Sequence, residues 1–357
     1  MIVKSPPPQT APLLIIGPAW VGDMVMVSAM TAQLHRAAPQ RRIDILCPKW
    51  THPIAQRLPH VGRVWQQPLG HGALGLKTRW QLGKQLAHEG YGQAITLPRS
   101  WKSALPPLAA RIPIRTSFLG ELRYGLLNDI RPLDKQALPR TVDRFMALAT
   151  PRGEPFSPPQ WPALTMQSDP AQGQLFLAQQ QADIDRPWAA LCPGAEYGPA
   201  KQWPAHHMAA TARRVVEAGW GVMLLGGPGD RELCQQIVQQ ADVAQPNQLL
   251  QLAGQTTLEQ AVDLLAVSDF VLSNDSGLMH VAAALDRPLL ALYGSSDPRH
   301  TPPLNPTSQT IWKQLPCSPC FKRSCPEQHL QCLEEIDPDE VIARWQLMQP
   351  PGGPHAS

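Results

Sequence analysis

Short apolar runs alternate along the chain with longer stretches in which apolar residues recur at helical spacing. Leu13–Ile16 reads as a buried strand ending at Gly17, with a helical pattern over 23–38, and further strands follow at 43–47 and 94–97. A polar, proline-rich gap spans 151–170, after which the rhythm restarts. Strands then read at 189–192, 221–225, 270–273 and Leu289–Tyr293, and helices at 206–218, Leu258–Ala266 and Gly277–Ala284. Strands that are apolar throughout, rather than alternating, are covered on both faces, so the pattern predicts parallel sheets made of βαβ units. Two such arrays predict an α/β protein with two doubly wound, Rossmann-like domains facing a central cleft, at 1–165 and 166–335. A last helix within 336–349 is expected to pack back on the first domain, and 350–357 to fray.

Composition narrows this picture. The 357 residues suffice for two cores. No apolar run reaches the roughly 18 residues of a membrane span, and Ser5-Pro6-Pro7-Pro8 stands where an export signal would need an apolar stretch. A cytosolic location is expected. The net charge of +3 is unevenly spread, because 77–144 holds twelve Lys or Arg against five Asp or Glu. That excess reads either as a solvated face or as a surface for anions such as phosphorylated lipid or acidic sugar. No nucleic-acid signature accompanies it, so no nucleic-acid partner is expected. Cys47, Cys192 and Cys234 lie among apolar residues and read as core. Cys317, Cys320, Cys325 and Cys332, spaced x2, x4 and x6, form a candidate structural cluster. A bound metal, reduced thiols and a local disulfide all stay open there, since the spacing is not that of a standard zinc ribbon.

Three strand-end motifs carry the candidate chemistry. Gly17-Pro18-Ala19-Trp20-Val21-Gly22-Asp23 lacks the Lys-Ser/Thr of a phosphate loop and the second glycine of a dinucleotide fingerprint. Asp23 reads as a helix cap or as a general base for an acceptor hydroxyl. The loop Pro193-Gly194-Ala195-Glu196-Tyr197-Gly198-Pro199-Ala200-Lys201 offers Lys201 as a point charge for phosphate, against the plainer reading of a surface lysine. Asn274-Asp275-Ser276-Gly277-Leu278-Met279-His280 reads as a helix start whose amides suit an anion, or as an ordinary cap with a core histidine. A carboxylate is awkward beside phosphate, so Asp275 is expected to cap, to hold a sugar hydroxyl, or to hold a cation such as Lys201. Asp183-Ile184-Asp185 has the letters of a divalent-metal motif but precedes a strand instead of following one.

Together with Pro68-Leu69-Gly70-His71-Gly72-Ala73-Leu74 and Arg123-Tyr124-Gly125-Leu126-Leu127-Asn128-Asp129, these motifs resemble those of the bacterial lipopolysaccharide heptosyltransferases of glycosyltransferase family 9, most closely their type II branch. The resemblance spans 12–345. It implies a GT-B fold and an inverting transfer of L-glycero-D-manno-heptose from ADP-heptose to the first heptose of the lipopolysaccharide inner core, with no metal or cofactor required. The acceptor would be lipid A bearing Kdo and heptose, met peripherally at the cytoplasmic face of the inner membrane. Asp23 would be the base. Glu196, Lys201, Asp275, Ser276, Gly277 and His280 would contact the donor. The loose match at 226–232 leaves Gly226, Asp230 and Glu232 as donor contacts, without saying which acid holds the ribose. Within the basic stretch, Arg99, Lys102, Arg115 and Arg123 are the acceptor candidates. A type I or III heptosyltransferase with another acceptor, or a nucleotide-binding protein without catalysis, are the alternatives; an epimerase would need a redox motif that the sequence does not offer.

Overall fold

The computed structural model describes residues 10–70, 72–154, 156 and 162–349; the N-terminal Ser5-Pro6-Pro7-Pro8, His71 and the 350–357 tail lie outside the described residues. The chain forms two compact units, Met1–Gln167 and Ser168–Ser357.

The first unit is built on six parallel strands: β1 Leu13–Ile16, β2 Ile43–Pro48, β3 Val64–Gln67, β4 Gln93–Thr96, β5 Ile114–Phe118 and β6 Asp129–Arg131, in the order β3-β2-β1-β4-β5-β6. The second unit repeats this with β7 Trp188–Cys192, β8 Gly221–Leu224, β9 Leu249–Gln251, β10 Phe270–Asn274, β11 Leu289–Tyr293 and β12 Ser308–Trp312, ordered β12-β11-β10-β7-β8-β9. Renumbered within its unit, each sheet runs 3-2-1-4-5-6, the doubly wound order. The order in which strands are added reverses between β1 and β4 in one unit and between β7 and β10 in the other. Ligands of such sheets bind beyond the carboxyl ends of the strands at those switch points. The expected α/β, GT-B class of fold is what the chain adopts.

The continuous apolar runs are the central strands. β1, β7, β10 and β11 are buried at every position. Strands that the hydrophobic pattern does not signal lie elsewhere. β3, at a sheet edge, is half-exposed along its length. β5 is polar in sequence, yet its Thr116 and Ser117 are fully buried, with hydroxyls donating to Asp129 Oδ2 (2.9 Å) and Thr96 O (2.6 Å).

The final helix, Pro338–Met348, departs from expectation. It does not supply the first unit's core: Val341 and Trp345 are buried in the apolar cluster of the second unit, where the Trp345 ring meets Trp220 edge-on at 5.3 Å. Trp203 Nε1 donates to Ile336 O at 3.0 Å just before this helix. Val341 and Trp345 therefore tie this helix into the second unit's core, where their burial supplies the driving force.

Candidate functional site

In the first unit the turn after β1 is held from several sides. Gly17 N donates to Leu46 O (2.8 Å), Trp50 Nε1 to Ala19 O (2.6 Å) and Thr51 Oγ1 to Pro18 O (3.3 Å). A side chain on Gly17 would meet Met24 Cε at 2.7 Å, so the strand end and the helix behind it are in close contact. The helix Val21–Ala37 is capped by the backbone of Trp20. Asp23, one of the two roles read for it being the cap, lies instead in the first turn and is half-buried. Its carboxylate acts electrostatically on Arg144, a residue that the motifs did not single out. Burial and the charge of Arg99 lower the Arg144 pKa, while Asp143 and Asp23 raise it. Asp23 and the guanidinium groups of Arg144 and Arg99 thus share one neighbourhood.

The four acceptor candidates separate. Arg99 is exposed, and Lys102 is half-buried with its ammonium on Gly72 O (3.1 Å). Arg115 is spent within the fold, its guanidinium donating to Leu126 O and Ile112 O, both at 2.7 Å. Arg123 contradicts its assignment. It is fully buried, and its guanidinium donates to Pro98 O (2.9 Å), Ser117 Oγ (2.8 Å) and Phe118 O (2.6 Å), cross-bracing the ends of β4 and β5. Burial pushes its pKa down to about 10, against the opposing charge of Glu121. A cation saturated by the chain's own carbonyls is a strut, and its sequence neighbourhood alone could not reveal that.

In the second unit the loops after β7, β10 and β11 meet. β10 lies between β7 and β11, with Ser273 opposite Cys192 and Asn274 opposite Leu292. The buried Asn274 amide donates to Pro193 O (2.6 Å) and accepts from Trp203 N (3.2 Å), which fixes both ends of the lysine loop. Lys201 Nζ then pairs with Asp275 Oδ2 at 2.5 Å, and the Tyr197 ring stands 5.1 Å from the ammonium. Asp275 therefore holds a cation, the third of the roles weighed for it, and the cap is Ser276, whose Oγ accepts from Met279 N (3.4 Å). Gly277 opens the helix Gly277–Ala284 directly behind.

His280 is 4% exposed, and its Nδ1 has no hydrogen-bond partner. Burial lowers its pKa to about 4, with Asp275 opposing and Lys201 assisting, so the ring is neutral near pH 7. The hydroxyls of Ser295 and Ser296, just past β11, are likewise buried and without partners. Unpaired buried polar atoms are costly and gather where a ligand is to be met. Ser295 and Ser296 follow the strand read at Leu289–Tyr293, and none of the strand-end motifs singled them out.

The acids after β7 and β8 also separate. The Asp230 carboxylate wedges between Gly194 and Gly226, whose added Cβ atoms would lie 2.3 and 2.8 Å from it, and it accepts from Gly227 N at 2.8 Å. Burial raises its pKa, the Gly227 amide opposes, and Glu196 adds to the rise. Glu196 and Glu232 are exposed. Cys47, Cys192 and Cys234 are buried as expected.

Two doubly wound sheets of this order define the GT-B class of fold, and a lysine beside a helix start at the second unit's switch point is chemistry suited to an anion. The sequence pattern of Glycosyltransferase family 9 (heptosyltransferase) matches residues 79–331, and the chain belongs to that family. It is 42% identical to lipopolysaccharide heptosyltransferase 2 of Escherichia coli (strain K12) over 92% of this chain and 96% of that protein. Lipopolysaccharide heptosyltransferase 2 of Salmonella typhimurium is also 42% identical, with the same coverage. The solved E. coli ADP-heptose lps heptosyltransferase II superposes with a TM-score of 0.82 at 38% identity, covering 94% of this chain and 98% of that one.

Proposed function

We propose that this glycosyltransferase moves L-glycero-D-manno-heptose from ADP-heptose to the first heptose of the lipopolysaccharide inner core, with inversion at the anomeric carbon. The reading is carried by the Lys201–Asp275 pair at the helix start of Gly277–Ala284, in a chain 42% identical to lipopolysaccharide heptosyltransferases 2 along nearly its whole length. The second unit holds the donor. Lys201 and the first-turn amides of the helix meet the diphosphate and stabilise the charge that ADP gains as it leaves. Ser276, Gly277 and His280 line that helix start; Glu196, Gly226, Asp230 and Glu232 surround the neighbouring loop, with an exposed acid, Glu196 or Glu232, for the ribose. Charge stabilisation of this kind needs no metal. The first unit holds the acceptor. Asp23 takes the proton from the acceptor hydroxyl as its oxygen attacks. Arg99, Lys102 and Arg144 offer positive charge to an acceptor rich in phosphate and acidic sugar, and the reading puts this acceptor at the cytoplasmic face of the inner membrane.

The test is ADP release with ADP-heptose and lipid A acceptors truncated before, at and after the first heptose. Turnover only with the acceptor that ends in the first heptose is the expected outcome; turnover with the heptose-free acceptor would make this a type I enzyme. Asp23→Asn should retain ADP binding and lose about 10²-fold or more in turnover. Near-wild-type turnover in that variant would remove Asp23 from the chemistry.

A further inference from the structure

The four late cysteines line one small pocket of the second unit, together with His329 and Ser318. None is in a disulfide. Cys317, Cys320 and Cys325 come from the loop after β12 and Cys332 from the short helix Gln331–Glu334, and their spacing in the chain does not announce that they converge. Cys332 is buried.

The same loop braces the donor-side loops. Phe321 N donates to Ser295 O (2.7 Å) and Ser318 Oγ to Gly294 O (2.6 Å). Ala200 N donates to Arg323 O (3.0 Å) and Tyr197 Oη to Phe321 O (2.8 Å), so the residues on either side of Lys201 lean on the segment between Cys320 and Cys325. Gly198 has φ +149, and a side chain there would meet Arg323 O at 2.5 Å. Ala200 and Ser295 themselves line the cysteine cavity.

We propose that Cys317, Cys320, Cys325 and Cys332 bind one thiophilic transition-metal ion, zinc or ferrous iron, and that this ion fastens the loop against which the Lys201 and Ser295 segments rest. Each thiol gives its proton to solvent on ligation. The sulfurs lie more openly than in a closed tetrahedral site, where bonds of about 2.3 Å place sulfurs about 3.8 Å apart. Among the described residues, the one trio of candidate ligand atoms mutually within 4.8 Å is His206, His207 and Glu334, on the surface. Ligation draws the four sulfurs together and tightens the brace. The ion is structural and takes no part in sugar transfer.

The experiment is elemental analysis of untagged, full-length protein, purified under reducing conditions without chelator from medium containing both zinc and iron. About one zinc or iron atom per chain is expected, and the metal found decides which. Cys320→Ser/Cys325→Ser should reduce this at least tenfold, whereas His206→Ala/His207→Ala should leave it unchanged. Reduced protein with less than about a tenth of an atom per chain would overturn the site, as would metal that survives the cysteine changes and is lost with the histidines. Iron accompanied by equimolar acid-labile sulfide would overturn the single-ion assignment. Should the cysteine variant not fold, wild-type protein reconstituted with cobalt decides: thiolate-to-cobalt charge-transfer absorption supports the site, and its absence overturns it. The brace is read separately, by calorimetry with ADP: about tenfold weaker binding in the metal-free variant is expected, and unchanged affinity overturns the brace. That arm rests on the donor reading proposed above. Wild-type protein that carries the metal and ignores ADP would defeat the donor reading while leaving the metal site standing.

Discussion

At the scale of single residues, Lys201 does two jobs that separate under mutation. It neutralises Asp275, whose side chain is only 5% exposed, and it presents charge at the helix start. Lys201→Met keeps most of the stem and removes the ammonium. An unpaired buried carboxylate then costs about 3 kcal/mol, visible in a denaturation midpoint. ADP affinity should fall by about 10- to 100-fold. Adding Asp275→Asn should restore much of the stability and none of the affinity; recovery of both would mean that the lysine acts only by satisfying Asp275. His280 gives the site a pH signature. Below about pH 6.5 the unfolded chain takes up a proton that native His280 refuses until about pH 4. Stability is therefore complete at neutral pH and declines as pH falls through that window, by up to about 3 kcal/mol. His280→Gln should flatten the midpoint-against-pH curve there, and an unchanged slope would assign the acid sensitivity to other groups.

At the scale of elements, close approach decides what propensity alone would misjudge. Gly83 sits inside the helix Leu76–Leu86, where alanine is intrinsically better by about 1 kcal/mol. An added Cβ, however, would lie 2.6 Å from Pro106 O and 2.5 Å from Ala109 Cβ, in the helix Leu105–Ala109. Overpacking against backbone costs about 1–3 kcal/mol, so Gly83→Ala should destabilise on balance. A raised midpoint in urea would show instead that the two helices can part. The same comparison separates the basic residues of 77–144. Arg115 and Arg123 were legible as cations and not as struts, because only the folded chain brings carbonyls around them.

At the scale of the whole molecule, each unit completes its own sheet and core, and the chain end belongs to the second. Ending the chain after Ile336 removes Val341 and Trp345 from the apolar cluster, and Glu340 from its ion pair with Lys313 (2.6 Å). Burial of one tryptophan alone is worth about 3–5 kcal/mol, comparable to a domain's entire margin. The shortened protein should lose the cooperative unfolding of 168–336 in calorimetry while 10–167 still melts as a unit. Two intact transitions would show the helix to be an ornament.

The repeated βαβ rhythm, the doubly wound class and the strand-end motifs are legible in the amino-acid sequence. Those follow from local apolar runs and from residue types that only certain turns accept. Half-exposed β3, and β5 with its buried hydroxyls, escaped because their burial is conferred by neighbours distant in the chain. Tertiary structure alone decided which charges are spent and which are presented. It paired Lys201 with Asp275, wedged Asp230 between two glycines, sealed Arg123 inside, brought Arg144 toward Asp23, and gathered four cysteines around one cavity beside the lysine loop. The reason is physical: hydrophobic periodicity is written locally, whereas the partner of a buried charge is set by whichever residues the completed fold places within a few ångströms of it.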